Sequence, residues 1–327
     1  MWSVHSCSRS IIRSLYVTKA IRTHPIASVM NDSASLLSGR EDHYQGLIVD
    51  PASLPSGHGV EEIFGRILDD SLAQWKNQQY RGIWLKLQRQ DHARLIPVAC
   101  ERGFEFHHAE QEYLMMTKWL PEDVPSTLPP NASHQVGVGV FIFDQESGRV
   151  LAVQERNGPL KGKGVWKMPT GLVNVGEDIT EAAVREVKEE TGCDVTFSSV
   201  LALRQSHGFA FGKSDLFFVV ACTPVLPDGV KTLDEIELRP QESEIEACQW
   251  MPLEEFCRVE FMQSRPLYRQ IMNTCYAYAR GGYKGITGAK LAANSDREDL
   301  FMFGEEILQS QTHQDDQSSR WMGISGE

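Results

Sequence analysis

The chain has 327 residues, with 32 Lys and Arg against 44 Asp and Glu, which gives a formal net charge of −12. Its apolar runs, such as residues 216–222, are much shorter than the ~18 residues of a membrane-spanning helix, which excludes an integral helical membrane protein. The acidic balance argues against a nucleic-acid-binding protein, which needs a basic face, but acidic side chains can hold a metal ion that meets phosphates.

The start of the chain differs in charge from the rest. Residues 1–31 contain four basic side chains, six serines and no acidic residue, so the remaining residues carry 28 basic against 44 acidic side chains. A basic, hydroxylated and acid-free composition is typical of organelle transit peptides, and we expect one within residues 1–40. The arginine content favours the mitochondrion over the plastid. The alternative is a cytosolic protein whose N-terminal extension has no targeting role.

Strand and helix patterns alternate between residues 44 and 119 and predict a small α/β domain. Alternating apolar residues indicate strands at 44–49, 82–87 and 112–119, and apolar residues at i, i+3, i+4 and i+7 indicate a helix at 60–75. A second helix is predicted at 91–102, with Pro97 near its start. Four prolines then predict a linker without regular structure at 120–133.

A second domain is predicted at residues 134–285. We expect strands at 136–143, 149–154, 195–204, 214–222 and 244–251, helices at 179–191 and 266–279, and a loop rich in Gly and Lys at 157–167. From residue 286 to the end the chain is polar and without periodicity, so we expect a tail without regular structure.

The helix predicted at 179–191 has recognisable signals at both ends. Asp178 followed three positions later by Glu181 is a capping-box pattern, and Gly192 is suited to the left-handed residue that follows a helix. The sequence therefore fixes where this helix begins and ends.

The same helix carries three carboxylates on one face. At about 100° per residue, Glu186, Glu189 and Glu190 fall within one arc beside an apolar arc that would pack on a sheet. Like charges at these spacings repel, whereas a bound divalent cation would stabilise them, because Mg²⁺ prefers hard oxygen ligands. A solvated acidic helix face is the alternative for this cluster taken alone.

The cluster belongs to a longer pattern, G-x5-E-x7-R-E-U-x-E-E-x-G-U, that contains Gly171, Glu177, Arg185, Glu186, Val187, Glu189, Glu190 and Gly192. This pattern is the signature of the Nudix hydrolase superfamily, and the chain is identified as a member by resemblance. Segments such as WKMPTG at 166–171 and QESEIEACQWMP at 241–252 are similar to plant Nudix hydrolases of the ADP-ribose/NADH group. The resemblance covers roughly residues 44–285, and the extended N terminus resembles that of the plant Nudix hydrolase 8 type.

The resemblance implies an α/β/α sandwich with a mixed sheet, preceded by a small acetyltransferase-like α/β domain. It implies that Mg²⁺ or Mn²⁺ is held by Glu186, Glu189, Glu190 and the carbonyl of Thr170. Glu177 and Arg185 would orient the helix and its carboxylates, and Gly171 and Gly192 would be structural. No acetyl-CoA-binding glycine pattern is found in the N-terminal domain, so acetyl transfer is not expected.

The implied reaction is hydrolysis of the diphosphate in a nucleoside diphosphate linked to another group X. A carboxylate must take a proton from the attacking water, and Glu189 is one candidate. Glu242, Glu244 and Glu246 alternate on the strand predicted at 244–251 and its approach, so they would share a face. We prefer Glu244 as the base.

Basic residues near the pattern are candidates for phosphate contacts, with plain surface charge as the alternative for each. They are Lys161, Lys163, Lys167, Arg204 and Lys213. The pair His107–His108 invites a metal hypothesis, but its position in the N-terminal domain, between a predicted helix and strand, favours packing at a domain interface.

The substrate is less defined than the reaction. Overall similarity favours ADP-ribose or NADH, although the downstream signature of one NADH branch is absent and Gly208 stands where one ADP-ribose branch has proline. CoA, acyl-CoA, a nucleoside triphosphate, or a regulatory role without turnover are the alternatives. We expect a small-molecule nucleotide as partner, no nucleic acid and no membrane, and a homodimer as one option.

Overall fold

A computed structural model describes residues 36–208, 210–294 and 297–304 of the chain. These residues form two compact units, one ending at residue 132 and the other beginning at residue 133. Among the described helices, none has the length and apolar composition required to cross a membrane.

The described part of the first unit is a five-stranded sheet with two helices. Its helices are α1 (Glu61–Asn77) and α2 (Ile96–Glu101), and its strands are β1 (Gly39–Glu41), β2 (Leu47–Val49), β3 (Gly82–Gln88), β4 (Glu105–Ala109) and β5 (Tyr113–Trp119). The strand order is β1-β2-β3-β5-β4, with only β2 and β3 parallel. Strand β4 was not predicted.

The helices of this unit follow the apolar spacing. One face of α1 buries Phe64, Leu68 and Trp75 in a core shared with β3 and β5. Pro97 lies in the first turn of α2, where its missing N–H leaves no hydrogen bond unmade. Residues 121–133 contain no helix or strand, as the prolines predict.

The first described residues of this unit lie within residues 1–40, where the transit peptide is predicted. Residues 1–35 lie outside the described residues, and the transit-peptide prediction falls on them. Leu37, however, is buried and its N–H donates to the Ser71 hydroxyl at 3.0 Å, while β1 pairs with β2. A leader that ended at residue 40 would remove Leu37 and most of β1 from this unit, so we expect any cleaved leader to end before Leu37.

The described part of the second unit contains an eight-stranded mixed sheet and four helices. The strands are β6 (His134–Asp144), β7 (Arg149–Glu155), β8 (Thr170–Leu172), β9 (Val195–Ser206), β10 (Ser214–Pro224), β11 (Ile245–Pro252), β12 (Ile286–Asn294) and β13 (Arg297–Gly304); the helices are α3 (Ile179–Thr191), α4 (Leu253–Cys257), α5 (Glu260–Gln263) and α6 (Pro266–Ala279). The order is β11-β7-β6-β10-β9-β12-β13, with β8 paired to β6, and β6 and β10 are parallel.

Strand β6 shows why this sheet is covered on both faces. Val138 and Val140 pack with residues of α3, whereas Phe141 packs on the opposite side with Phe256 and the residues of α6. Successive side chains of a strand point to opposite faces, so an uninterrupted apolar strand requires a layer on each side. The result confirms the predicted α/β/α sandwich with a mixed sheet.

The region after residue 285 differs from its prediction. Residues 286–327 were expected to lack regular structure, but β12 and β13 pair along their length as an antiparallel hairpin. Ile286 pairs with Val200 of β9, and Met302 packs in the core beside α3. The two strands are neighbours in sequence, but their attachment to β9 and to the core beside α3 involves residues distant in sequence, which local composition does not record. Residues 305–327 lie outside the described residues.

The contrast between two neighbouring leucines tests the revised N-terminal boundary. Leu37 is 4% exposed and Leu36 is 43% exposed. We expect Leu37→Ala to lower the free energy of unfolding by about 2–5 kcal/mol, because it removes buried methyl groups and leaves a cavity. The matched Leu36→Ala change should stay within about 0.5 kcal/mol of wild type. Urea unfolding followed by tryptophan fluorescence measures both, and equal losses would contradict the boundary.

Candidate active site

Helix α3 begins and ends where the sequence predicts. Asp178 and Glu181 form the reciprocal capping box, in which the Asp178 N–H donates to the Glu181 carboxylate at 3.2 Å. Gly192 follows the helix with a left-handed φ of 74°, which a residue with a side chain rarely adopts. Because the helix begins and ends at these residues, the direction in which each carboxylate leaves the helix is fixed.

Gly171 is required because the Glu186 carboxylate occupies the space of its missing side chain. A Cβ built on Gly171 would lie 1.8 Å from the Glu186 carboxyl carbon and about 2.1 to 2.2 Å from its two oxygens. The structure therefore places this carboxylate directly against β8. Burial raises the pKa of Glu186, with Arg185 opposing that rise and Glu189 and Glu244 adding to it.

Arg185 ties α3 to the segment before it. Its guanidinium donates to both oxygens of Glu177, at 2.6 and 2.8 Å, and to the Leu172 carbonyl at 2.9 Å. It also donates to Glu186 at 2.7 Å and Glu189 at 3.1 Å. The hydrogen bonds from Arg185 hold the pKa of Glu177 below its ordinary value, and that of Arg185 is raised in turn. Arg185 therefore links α3 to Glu177 and to the Leu172 carbonyl of β8.

Glu190 is the most buried carboxylate of the group, at 4% exposed. Among the described residues, its Oε2 atom has no hydrogen-bond partner. Burial is the main cause that raises its pKa to about 8; the positive charge of Lys167 opposes the rise, and the negative charge of Glu186 adds to it. A buried carboxylate with an unused oxygen is costly unless a cation comes to it.

Strand β8 turns its outer edge toward the carboxylates. The Pro169 carbonyl and the Val173 N–H both bond to β6, so the intervening Thr170 and Leu172 direct their N–H and C=O groups away from β6. The Leu172 carbonyl accepts from Arg185, and the Thr170 backbone bonds to Glu190. The Thr170 carbonyl therefore lies on the edge that faces α3.

The third helix carboxylate stands apart from the other two. The Glu189 side chain is 51% exposed and accepts a hydrogen bond from Arg185. Within residues 36–208, 210–294 and 297–304, no three His, Cys, Asp or Glu side chains converge on one point at ligand distance. One nitrogen of the Arg185 guanidinium donates to both Glu186 and Glu189, so these two carboxylates share a cationic partner.

Glu244 lies near the carboxylates, but for a different reason from the one predicted. Residues 242–244 form a turn before β11, so Glu242, Glu244 and Glu246 do not alternate on one strand. The Glu244 carbonyl accepts from the Arg156 N–H at 2.7 Å, which anchors the turn to the end of β7. Its negative charge raises the pKa of both Glu186 and Glu190. Glu242 is exposed and Glu246 is paired with Arg156.

Four of the five basic residues predicted to meet phosphates separate into two groups. Lys161 and Lys163 are exposed in the loop before β8. Lys167 is buried and forms an ion pair with Glu155 at 2.8 Å, and Arg204 forms an ion pair with the buried Asp215.

Ion pairing gives Lys167 and Arg204 partners inside the fold, which does not favour the predicted phosphate contacts. The Arg204 guanidinium lies over the Phe217 ring, 5.1 Å from its centroid. Its charge is paired with Asp215 and one of its faces is covered by Phe217. Lys167 also donates to the Thr170 hydroxyl at 2.6 Å. Glu155 and Asp215 were not predicted, because a lone carboxylate in a strand gives no local sign of its partner.

The histidine pair of the first unit has no carboxylate or cysteine around it that would complete a metal site among the described residues. His107 and His108 lie on β4, with their Nδ1 atoms 2.7 Å apart. The outer nitrogens contact the Pro129 carbonyl at 2.9 Å and the Tyr113 hydroxyl at 3.2 Å. The pair therefore packs in a hydrogen-bonded chain within its own unit.

The arrangement around β8 suits a hard divalent cation. It combines the buried carboxylates of Glu186 and Glu190, one unpartnered carboxylate oxygen and a carbonyl edge at Thr170. Oxygen donors of this kind are the ligands that Mg²⁺ and Mn²⁺ prefer. The residues present therefore fit the metal that the signature implies.

The raised pKa of Glu190 predicts a pH dependence of stability. Its pKa rises from an ordinary 4.5 to about 8 on folding, so ionisation opposes folding, and stability is lost as pH rises through that interval. We expect metal-free Glu190→Gln to unfold at a higher temperature than wild type at pH 8, with the difference vanishing near pH 4.5. Thermal unfolding in EDTA at both pH values measures this.

The exposed Glu242 provides the matched control for that experiment. Glu242→Gln should unfold close to the wild-type temperature at both pH values, because it changes an exposed side chain outside the buried cluster. A gain at pH 8 in both variants, or in neither, would show that Glu190 is not held in the buried state described above.

Family profiles and relatives match both units of the chain. A profile described as NUDIX domain matches residues 133–273, and one described as Nudix hydrolase domain matches residues 37–120. Nudix hydrolase 2 of Arabidopsis thaliana is 41% identical over 280 residues, which cover 85% of this chain and 94% of the relative. Nudix hydrolase 8 of the same plant is 41% identical over 276 residues, 84% of this chain and 71% of the relative.

A human relative extends the likeness beyond plants. Nucleoside diphosphate-linked moiety X motif 6 of Homo sapiens is 35% identical over 249 residues, which cover 75% of this chain and 74% of the relative. The profiles, the relatives and the glutamate-bearing helix held against β8 agree: the chain belongs to the Nudix hydrolase family and is a pyrophosphohydrolase.

Proposed function

We propose that this enzyme hydrolyses the diphosphate of a nucleoside diphosphate linked to another group, with ADP-ribose or NADH as the favoured substrate. The observation that carries the proposal is the buried Glu190 carboxylate, which has an unpartnered oxygen beside Glu186 and β8. A protein without turnover would have little use for this costly cluster. The favoured substrates rest on overall similarity to the plant group.

Mg²⁺ or Mn²⁺ would be held by Glu186, Glu190 and the Thr170 carbonyl, with Glu189 as a further ligand. Glu189 lies one turn from Glu186 and within reach of the same guanidinium. When bound, the metal supplies positive charge that offsets the negative charge of the diphosphate oxygens. Arg185 keeps Glu177 and the β8 edge in place, so the helix carboxylates keep their direction.

The attacking water must lose a proton to a carboxylate within hydrogen-bond reach. Glu244 is our preferred base, because its turn is anchored to β7 and its negative charge raises the pKa of both Glu186 and Glu190. Glu189 is the alternative base, being exposed on the outer side of the helix.

A panel of substrates tests the proposed reaction. We expect the enzyme to cleave ADP-ribose or NADH with Mg²⁺ or Mn²⁺ and to lose that activity in EDTA. CoA, acyl-CoA, FAD and deoxynucleoside triphosphates test the alternative substrates. Glu190→Gln should lower turnover by orders of magnitude while its circular dichroism stays that of wild type. Cleavage of none of these, or a Glu190→Gln variant with the wild-type rate, would contradict the proposal.

The two candidate bases are separated by their kinetics. We expect Glu244→Gln to lower kcat by about 10²–10⁴-fold and to remove the acidic limb of the pH–rate profile, because that is the usual effect of losing a general base. The binding of Mn²⁺, measured by calorimetry, should change little.

Glu242 lies in the same turn as Glu244 and is exposed, so Glu242→Gln serves as the matched control and should keep the wild-type profile. If Glu189→Gln removes the acidic limb and Glu244→Gln does not, the base is Glu189.

A further inference from the structure

Lys167 is unusual among the basic residues of this site because the fold encloses it. Its side chain is only 5% exposed, and its Nζ lies 2.8 Å from the Glu155 carboxylate, which is itself largely buried. The same Nζ donates to the Thr170 hydroxyl at 2.6 Å. A buried lysine needs partners of this kind, because an ammonium group without them would lose its hydration uncompensated.

The backbone of Lys167 is held as firmly as its side chain. Its N–H and carbonyl both bond to Val153 of β7, at 3.0 and 2.9 Å. Three residues later, Thr170 pairs with Gly139 of β6. The segment from Lys167 to Thr170 therefore bridges two strands, and the bond from Nζ to the Thr170 hydroxyl closes the bridge on its side-chain side.

The charge of Lys167 also reaches the carboxylate cluster. Lys167 lies close enough for its positive charge to act on the Glu190 carboxylate, and the Thr170 backbone is hydrogen-bonded to the same carboxylate. Lys167 thus acts on Glu190 in two ways. Its positive charge attracts the carboxylate, and its ammonium group donates to Thr170, whose backbone is hydrogen-bonded to Glu190. Because Lys167 is paired with Glu155, the two side chains together carry almost no net charge and add little repulsion toward a divalent cation.

We propose that Lys167, paired with Glu155, is a positioning residue that holds the Thr170 edge of β8 toward Glu190 and so pre-arranges the metal ligands, and that it does not contact the substrate. This inference rests on the proposed function for the identity of the ligands. It replaces the phosphate role that the sequence indicated for Lys167. Outer partners of metal ligands commonly change metal affinity by about 10–100-fold when they are removed.

A charge-neutral replacement of the pair isolates the positioning effect. The double variant Lys167→Met/Glu155→Gln removes both charges together, so the net charge at the site is unchanged. We expect its Kd for Mn²⁺, measured by calorimetry without substrate, to weaken about tenfold or more. The KM for substrate, measured with Mn²⁺ raised to saturation, should stay close to wild type. Lys231→Met, an exposed lysine distant in sequence, is the control and should change neither value.

Thr170→Val keeps the inference testable if the double variant fails to fold. It preserves side-chain shape and the backbone carbonyl and removes only the acceptor for Lys167. We expect weaker Mn²⁺ binding with a circular dichroism spectrum like that of wild type.

Three results would overturn the inference. A raised KM with unchanged Mn²⁺ affinity would make Lys167 a substrate contact. A lower unfolding temperature with unchanged Mn²⁺ affinity would make the pair merely structural. Unchanged Mn²⁺ binding in Thr170→Val would remove the link through the hydroxyl. A wild-type enzyme without metal-dependent hydrolysis would instead contradict the proposed function.

Discussion

The site depends on the contact between helix α3 and the outer edge of β8. Arg185 makes this contact by donating to Glu177 and to the Leu172 carbonyl. Gly171 completes it, because the Glu186 carboxylate fills the position where any other residue would carry a Cβ. One guanidinium and one missing side chain therefore decide where the carboxylates point. The caps of the helix set the direction in which each carboxylate leaves it, and this contact holds the Glu186 carboxylate against β8.

The chemistry of the site follows from burying negative charge beside a sheet. Carboxylates that lose hydration favour their neutral form, and Glu186 and Glu190 both have raised pKa values for this reason. The fold meets part of the cost with fixed cations, Arg185 on one side and Lys167 on the other. What remains uncompensated is the unpartnered oxygen of Glu190, which is the feature that a divalent cation would satisfy.

Strand β6 links this site to the architecture of the second unit. Its alternating side chains join the α3 layer to the α6 layer, and its backbone pairs with β8 over the residues that face the carboxylates. Strand β6 requires glycine at one position. A Cβ on Gly139 would lie 2.6 Å from the Phe217 ring, so only glycine leaves room for that ring beside the strand.

The sequence by itself determined helix α3, its two ends and the spacing of its glutamates, because capping, periodicity and a signature of fixed spacing are local properties. It also indicated the sandwich and the family. Only the tertiary structure decided that Glu244 stands on a turn and that Lys167 is paired with Glu155. It also decided that β12 and β13 pair with each other and that β12 joins β9. These features depend on partners brought together by folding, and neither hydropathy nor spacing records which distant residue a side chain or strand will meet.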